Sequence, residues 1–139
     1  MKHQWLAEKI DDLDVIAATI VQSFPSLRLF TLEGDLGSGK TSLVKAMGKV
    51  LGVDEIISSP SFAILQEYGD PVRIYHFDLY RLERSEELLE IGFEDYLYSP
   101  CYVFIEWPSI AEKWLKEHPL GKIDIEIMEN NDRLVNLVI

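Results

Sequence analysis

The chain has 139 residues, 47% of them hydrophobic and 27% charged, and a formal net charge of −11 from 24 acids against 13 bases. That length suits one domain burying roughly two thirds of its unfolded surface, and no apolar run approaches the roughly 20 residues needed to cross a bilayer. The acid excess argues against strong direct binding of nucleic acid, which rests on Lys and Arg neutralising phosphates, so a role in an RNA pathway is expected to run through partner proteins.

The start, Met1 to Trp5, lacks the long apolar core of a signal peptide, and the one cysteine, Cys101, permits no internal disulfide. Both points predict the cytoplasm. Leu13, Ile16, Ala17, Ile20, Val21 and Phe24 recur at helical spacing and give one apolar face. Asp11 or Asp12 is the expected N-cap and Pro25 the stop. This helix is read as packing, without chemistry.

Leu27 to Leu32 has β-prone, alternating character, and a helix-permissive run follows from Thr41 to Leu51. Between them Gly34-Asp35-Leu36-Gly37-Ser38-Gly39-Lys40-Thr41 fits the spacing G-x-x-x-x-G-K-[ST]. Strand, glycine loop and helix together are the context of a phosphate-binding loop. A triphosphate needs many donors at once, and backbone amides are the densest source of them. Gly34, Gly37 and Gly39 let the backbone take positive φ and approach the phosphates without a Cβ in the way. The first free amides of the helix, through Ser42, face the same anion and are aided by the helix dipole. Lys40 supplies a charge for the β- and γ-phosphates, and the Thr41 hydroxyl is placed for Mg²⁺. Ser42 lies one position too late to ligate the metal. The bland alternative, an ordinary glycine turn before a helix, does not require the lysine or the hydroxyl.

Gly52 to Glu55 breaks the chain, and Ile56-Ile57 leads into Ser58-Ser59-Pro60-Ser61-Phe62. Sequence physics favours a capped turn there, although hydroxyls pinned by a proline also suit a loop that reads the γ-phosphate. Phe62 to Tyr68 and Val72 to Leu79 are predicted strands joined by Gly69-Asp70-Pro71 as an antiparallel hairpin. The two-residue period places Ile74, His76, Asp78 and Tyr80 on one face. Ser85 to Ile91 is a short acidic helix with Ser85 as its expected N-cap, Gly92 breaks it, and Phe93 to Leu97 is another helical piece. Cys101 sits beside the next apolar run and is expected to be a buried, inert thiol. That run, Tyr102 to Ile105, ends in Glu106-Trp107-Pro108, as in a buried central strand delivering a carboxylate at its C-terminal end. Ile110 to Lys116 is a short helix, and Ile123 to Met128 pairs with Leu134 to Ile139 as a second hairpin.

A phosphate loop needs a carboxylate at a neighbouring strand end to hold Mg²⁺ or its water shell. Asp78 and Glu106 compete for that role. Glu106 follows the stronger buried-strand signal and ranks first as metal ligand. Asp78 is placed as a second acid, orienting the attacking water or ligating the ion through water. His76 is read as a hydrogen-bonded histidine lining the cleft rather than a proton carrier. Arg81 and Arg84 are read as partners of Glu83, Glu86 or Glu87, and Trp107 as a half-buried aromatic. No segment carries a base-recognition motif.

Taken together, Gly34 to Thr41, Ser59-Pro60-Ser61-Phe62, the run His76-Phe77-Asp78-Leu79-Tyr80-Arg81-Leu82 and Ile105-Glu106-Trp107 resemble the TsaE family. These are small bacterial ATPases of tRNA threonylcarbamoyladenosine synthesis. The glycine loop is generic to NTPases, whereas the His76 to Leu82 run with Ile105 to Trp107 is particular to the family. The resemblance implies an α/β, P-loop NTPase-like three-layer domain, with a mixed parallel and antiparallel sheet flanked by helices. It implies ATP and Mg²⁺, with Thr41 and Glu106 on the metal and Asp78 required for hydrolysis. It also implies weak activity alone and action with TsaD and TsaB, ATP turnover resetting that complex between rounds. One departure is Ser61, where the family usually has threonine. Two other classes compete, a small-molecule kinase and a nucleotide-gated binding module without turnover. Five arginines and no Arg-rich lid argue against the kinase, while two acids at strand ends favour hydrolysis over the module.

Overall fold

The computed structural model describes residues 1–53, 57 and 63–139, so the expectations for Ser58 to Phe62, Ser61 included, lie outside the described residues. Seven strands form one sheet: β1 (Lys2–Ala7), β2 (Leu29–Glu33), β3 (Leu65–Tyr68), β4 (Ile74–Asp78), β5 (Tyr102–Glu106), β6 (Gly121–Ile127) and β7 (Arg133–Val138). Their spatial order is β1-β7-β6-β2-β5-β4-β3. The three inner pairings from β6 through β2 and β5 to β4 run parallel, and hairpin partners add antiparallel strands at both flanks. This is the mixed sheet expected from the two hairpins.

The helices are α1 (Asp12–Ser23), α2 (Lys40–Val50), α3 (Glu86–Glu90), α4 (Phe93–Leu97) and α5 (Glu112–Leu115), the last preceded by a 3-10 turn over Pro108–Ala111. Two apolar clusters divide them between the faces of the sheet. Leu13, Ile16 and Ile20 of α1 and Leu43, Val44 and Met47 of α2 pack with Phe30, Leu32, Phe104 and Ile123. On the other face Leu88, Phe93 and Leu115 pack with Leu29, Phe77, Val103 and Ile105. β2 and β5 are covered on both sides, which is why β5 reads as a continuous apolar run and why β2, read as alternating, is buried at four of its five positions.

Four local readings need correction. β1 was not foreseen; its polar, alternating residues pair only along one edge, with β7, and leave half their side chains in water. Neither expected N-cap works through its side chain. Asp11 and Ser85 occupy the cap positions without a side-chain bond. The Asp12 carboxylate accepts from the amides of Glu8 and Lys9, and that of Glu87 from Glu83 and Arg84. Each acid lies one or two residues inside the helix and reaches back. Cys101 is half-buried rather than buried, its thiol donating to the Val72 carbonyl at 3.2 Å. The predicted helix from Ile110 starts at Pro108 as a 3-10 turn, with the proline at its first position.

Candidate functional site: the glycine loop and the strand ends

β2 ends at Glu33 and the chain turns through Gly34 to Gly39 before entering α2. Gly34 takes φ 147°, and a Cβ there would lie 2.6 Å from the Ile125 carbonyl oxygen and 2.7 Å from Ser38 Oγ. No side chain fits between loop and β6, so the glycine is required by packing as well as by φ. Gly39, at φ 115°, is the N-cap of α2. The first backbone bond of the helix runs from Leu43 N to the Gly39 carbonyl at 2.9 Å. The amides of Lys40, Thr41 and Ser42 therefore precede the hydrogen-bonded ladder, at the positive end of the helix dipole.

Asp35, Leu36 and Gly37 form the exposed tip of the loop, while Ser38 is buried. The Ser38 hydroxyl turns inward beneath Gly34 and has no hydrogen-bond partner among the described residues. The Ser38 side chain is thus turned away from a ligand, and its amide donates to the Asp35 carbonyl at 3.0 Å. Lys40 is 5% exposed. Its ammonium donates to the Gly34 carbonyl and lies 4.0 Å from the centre of the Trp107 ring. Burial pushes its pKa below the ordinary value, against the opposing pull of Glu106, Asp78 and Asp35.

β4 and β5 pair in parallel with Asp78 opposite Glu106, so both carboxylates stand at the C-terminal ends of adjacent strands. Paired residues share a face, here the one on which α2 packs. The Thr41 hydroxyl reaches Glu106 Oε2 at 3.2 Å, and His76 Nε2 reaches the same oxygen at 2.6 Å. His76 is fully buried, and its Nδ1 has no partner among the described residues. Asp78 is half-buried and accepts from the Tyr80 amide at 3.1 Å. Tyr80 lies past the end of β4 and its ring meets that of Trp107 at 4.9 Å with the planes tilted by 50°; the Trp107 φ of 57° turns the chain sharply after Glu106. Arg81 and Arg84 are exposed, and the Arg84 and Glu83 amides, aided by the Arg84 guanidinium, hold the Glu87 carboxyl low.

The donor set suits a hard divalent cation. Two oxygens about 3 Å apart form one edge of an octahedron with bonds of about 2.1 Å, and Thr41 Oγ1 and Glu106 Oε2 are 3.2 Å apart. No group of three or more His, Cys, Asp or Glu side chains able to hold a metal occurs among the described residues.

A residue that sequence reasoning passed over also reaches the loop. Arg133, at the start of β7, donates from Nε to the Ser38 carbonyl at 2.9 Å and from Nη2 to the Gly37 carbonyl at 3.3 Å. Beside it lies a cleft of about 280 Å³ lined by Lys9, Ile10, Leu13, Gly39, Ser42 and Asn131 among others. No local motif marks Arg133; only the pairing of β6 with β2 brings it there. No helix among the described residues is long and apolar enough to cross a membrane.

The chain is similar to several known proteins. The family model described as "Threonylcarbamoyl adenosine biosynthesis protein TsaE" matches residues 7–135. A Rickettsia conorii protein named tRNA threonylcarbamoyladenosine biosynthesis protein TsaE is 38% identical over 125 residues, spanning 88% of this chain and 70% of that one. One of the same name from a Nostoc species is 41% identical over 111 residues, spanning 77% and 68%. The crystal structure of Bacillus subtilis YdiB superimposes with a TM-score of 0.77 at 26% identity, covering 99% of this chain and 84% of that one.

Proposed function

The chain belongs to the TsaE family of threonylcarbamoyladenosine biosynthesis proteins, and on that premise we propose that it is a Mg²⁺-dependent ATPase acting with TsaD and TsaB in this tRNA modification. The observation that carries the reading is the meeting of the glycine loop with the C-terminal end of β5. The Thr41 hydroxyl lies 3.2 Å from Glu106 Oε2, and Lys40 lies in the same loop within the field of Glu106 and Asp78.

The roles follow from the chemistry of each group. Backbone amides of Gly37 and of Gly39 to Ser42 hold the β- and γ-phosphates, and Lys40 exchanges the Gly34 carbonyl for phosphate oxygens. Thr41 and Glu106 hold Mg²⁺, which when bound neutralises charge on the β- and γ-oxygens. Asp78 orients a water for in-line attack on the γ-phosphorus, with the β–γ bridging oxygen leaving on ADP. The hydrogen bond from His76 fixes the Glu106 carboxylate. The nucleoside end extends into the 280 Å³ cleft between the loop and the turn after β1. ATP turnover resets the complex with TsaD and TsaB between rounds, and the net charge of −11 suits docking on proteins rather than on RNA.

Phosphate release from ATP, measured with and without TsaD and TsaB, tests this. Slow release alone and marked stimulation by the pair is the expected result. Transfer of the phosphate to a metabolite would replace the ATPase by a kinase, and binding without release would leave only a nucleotide-gated module.

A further inference from the structure

Among the described residues Arg133 makes no ion pair with a carboxylate, although the chain carries 24 acids. Its charge is directed instead at backbone oxygens, the commoner fate of a cation at a helix C-terminus than of one beside a glycine loop. Nη1 donates to the Asn131 carbonyl at 2.6 Å and to Asn131 Oδ1 at 3.3 Å, which anchors the guanidinium to the β6–β7 turn. Nε and Nη2 then take the Ser38 and Gly37 carbonyls, 95 and 96 residues away in sequence. Four of the five guanidinium N–H groups are thereby used on a fixed planar fork.

Those two carbonyls belong to peptide units with a second end. The Gly37 carbonyl shares its plane with the Ser38 amide, and the Ser38 carbonyl with the Gly39 amide. In a trans peptide N–H and C=O point in opposite directions. Holding the Ser38 carbonyl toward Arg133 therefore turns the Gly39 amide away from it, and a cation on the oxygen withdraws electrons from that N–H. The Ser38 amide is already taken up by the Asp35 carbonyl at 3.0 Å, so the effect falls on Gly39.

We infer that Arg133 is a positioning residue for the phosphate loop: its guanidinium fixes the Gly37 and Ser38 carbonyls and polarises the Gly39 amide toward a nucleotide phosphate. This rests on the nucleotide reading above and assigns the C-terminal hairpin a part in it. A guanidinium is needed because an ammonium, being a point charge, cannot span Asn131 and two loop carbonyls in one plane.

The test compares Arg133→Ala, Arg133→Lys and Lys40→Ala by calorimetric titration with Mg-ATP, together with the Gly39 amide resonance of the nucleotide-free protein. Arg133→Ala is expected to weaken Mg-ATP about tenfold, as for the loss of one charge-assisted bond, and to move the Gly39 amide proton upfield. Millimolar guanidinium, but not NaCl of equal ionic strength, should restore affinity. Arg133→Lys should fall between, and it serves in place of Arg133→Ala if the alanine variant does not fold. Affinity within twofold of the unmodified chain in Arg133→Ala, or a loss that guanidinium does not rescue and that leaves Gly39 unmoved, overturns the inference. If Lys40→Ala also binds normally, the nucleotide reading falls with it; if only Lys40→Ala loses binding, that reading stands without Arg133.

Discussion

Replacing Glu106 by glutamine separates a metal ligand from a structural ion pair. The side chain is 3% exposed, and its Oε2 meets His76 Nε2 at 2.6 Å and Thr41 Oγ1 at 3.2 Å. Glutamine keeps the volume and the hydrogen-bonding reach but removes the charge. If the His76 contact were a buried ion pair holding the fold, breaking it would cost about 3–5 kcal/mol. If the carboxylate is held for a cation, the metal-free protein also carries its desolvation penalty, and glutamine relieves that. Asp78 and Asp35 still offset the Lys40 charge, so Glu106→Gln should unfold within about 1 kcal/mol of the unmodified protein in EDTA. The Mg²⁺ concentration giving half-maximal ATP binding should rise at least about tenfold, since even supporting groups of metal sites cost 10–100-fold when lost. Urea unfolding in EDTA and Mg²⁺ titrations at fixed ATP read the two effects. A destabilisation of about 3 kcal/mol or more with unchanged Mg²⁺ dependence would refute the assignment.

Gly34→Ala places a Cβ 2.6 Å from the Ile125 carbonyl oxygen at φ 147°; it should lose at least about 2 kcal/mol in denaturant unfolding, and a loss below about 0.5 kcal/mol would mean the loop does not pack on β6 as described. Glu106→Ala should raise the Mg²⁺ requirement for ATP binding more than Asp78→Ala does, because Asp78 is assigned to water; the reverse order in Mg²⁺ titrations would exchange the two roles. The Glu87 carboxyl is held below its ordinary 4.5 by the amides of Arg84 and Glu83. A depressed pKa means the ionised form supports the fold, so protection of those amides should persist above 4.5 and fade as pH drops through the lowered value. Hydrogen exchange between neutral pH and pH 3 checks this, and pH-independent opening would contradict it.

The sheet was legible where burial dictates the pattern. Tyr102 to Ile105 is apolar on both faces because it lies inside the sheet, and the two hairpins announced themselves by turn residues between alternating runs. β1 escaped because an edge strand paired on one side needs no apolar alternation. The caps were misread for a related reason. Serine at the cap position suits the amides ahead of it in the helix, whereas the carboxylate in the first turn reaches back to Glu83 and Arg84, and only geometry shows which bond forms. In the site, Gly34 to Thr41 carried its own spacing, and Asp78 and Glu106 stood at strand ends that β pairing then placed side by side. Arg133 and the cleft beside Lys9 carried no such signal, because what makes them relevant is the antiparallel return of β7 past the loop.

The grip of a magnesium-bound triphosphate by the amides of Gly37 and of Gly39 to Ser42, by Lys40 and by the Thr41–Glu106 pair is the proposal on which the other roles depend. A crystal grown with Mg²⁺ and a non-hydrolysable ATP analogue tests it most directly. The account predicts phosphate oxygens on those amides, Lys40 Nζ moved from the Gly34 carbonyl to the β- and γ-oxygens, and Thr41 Oγ1 in the metal shell. Density for the analogue elsewhere, with Lys40 still bonded to Gly34 and covered by Trp107, would contradict it.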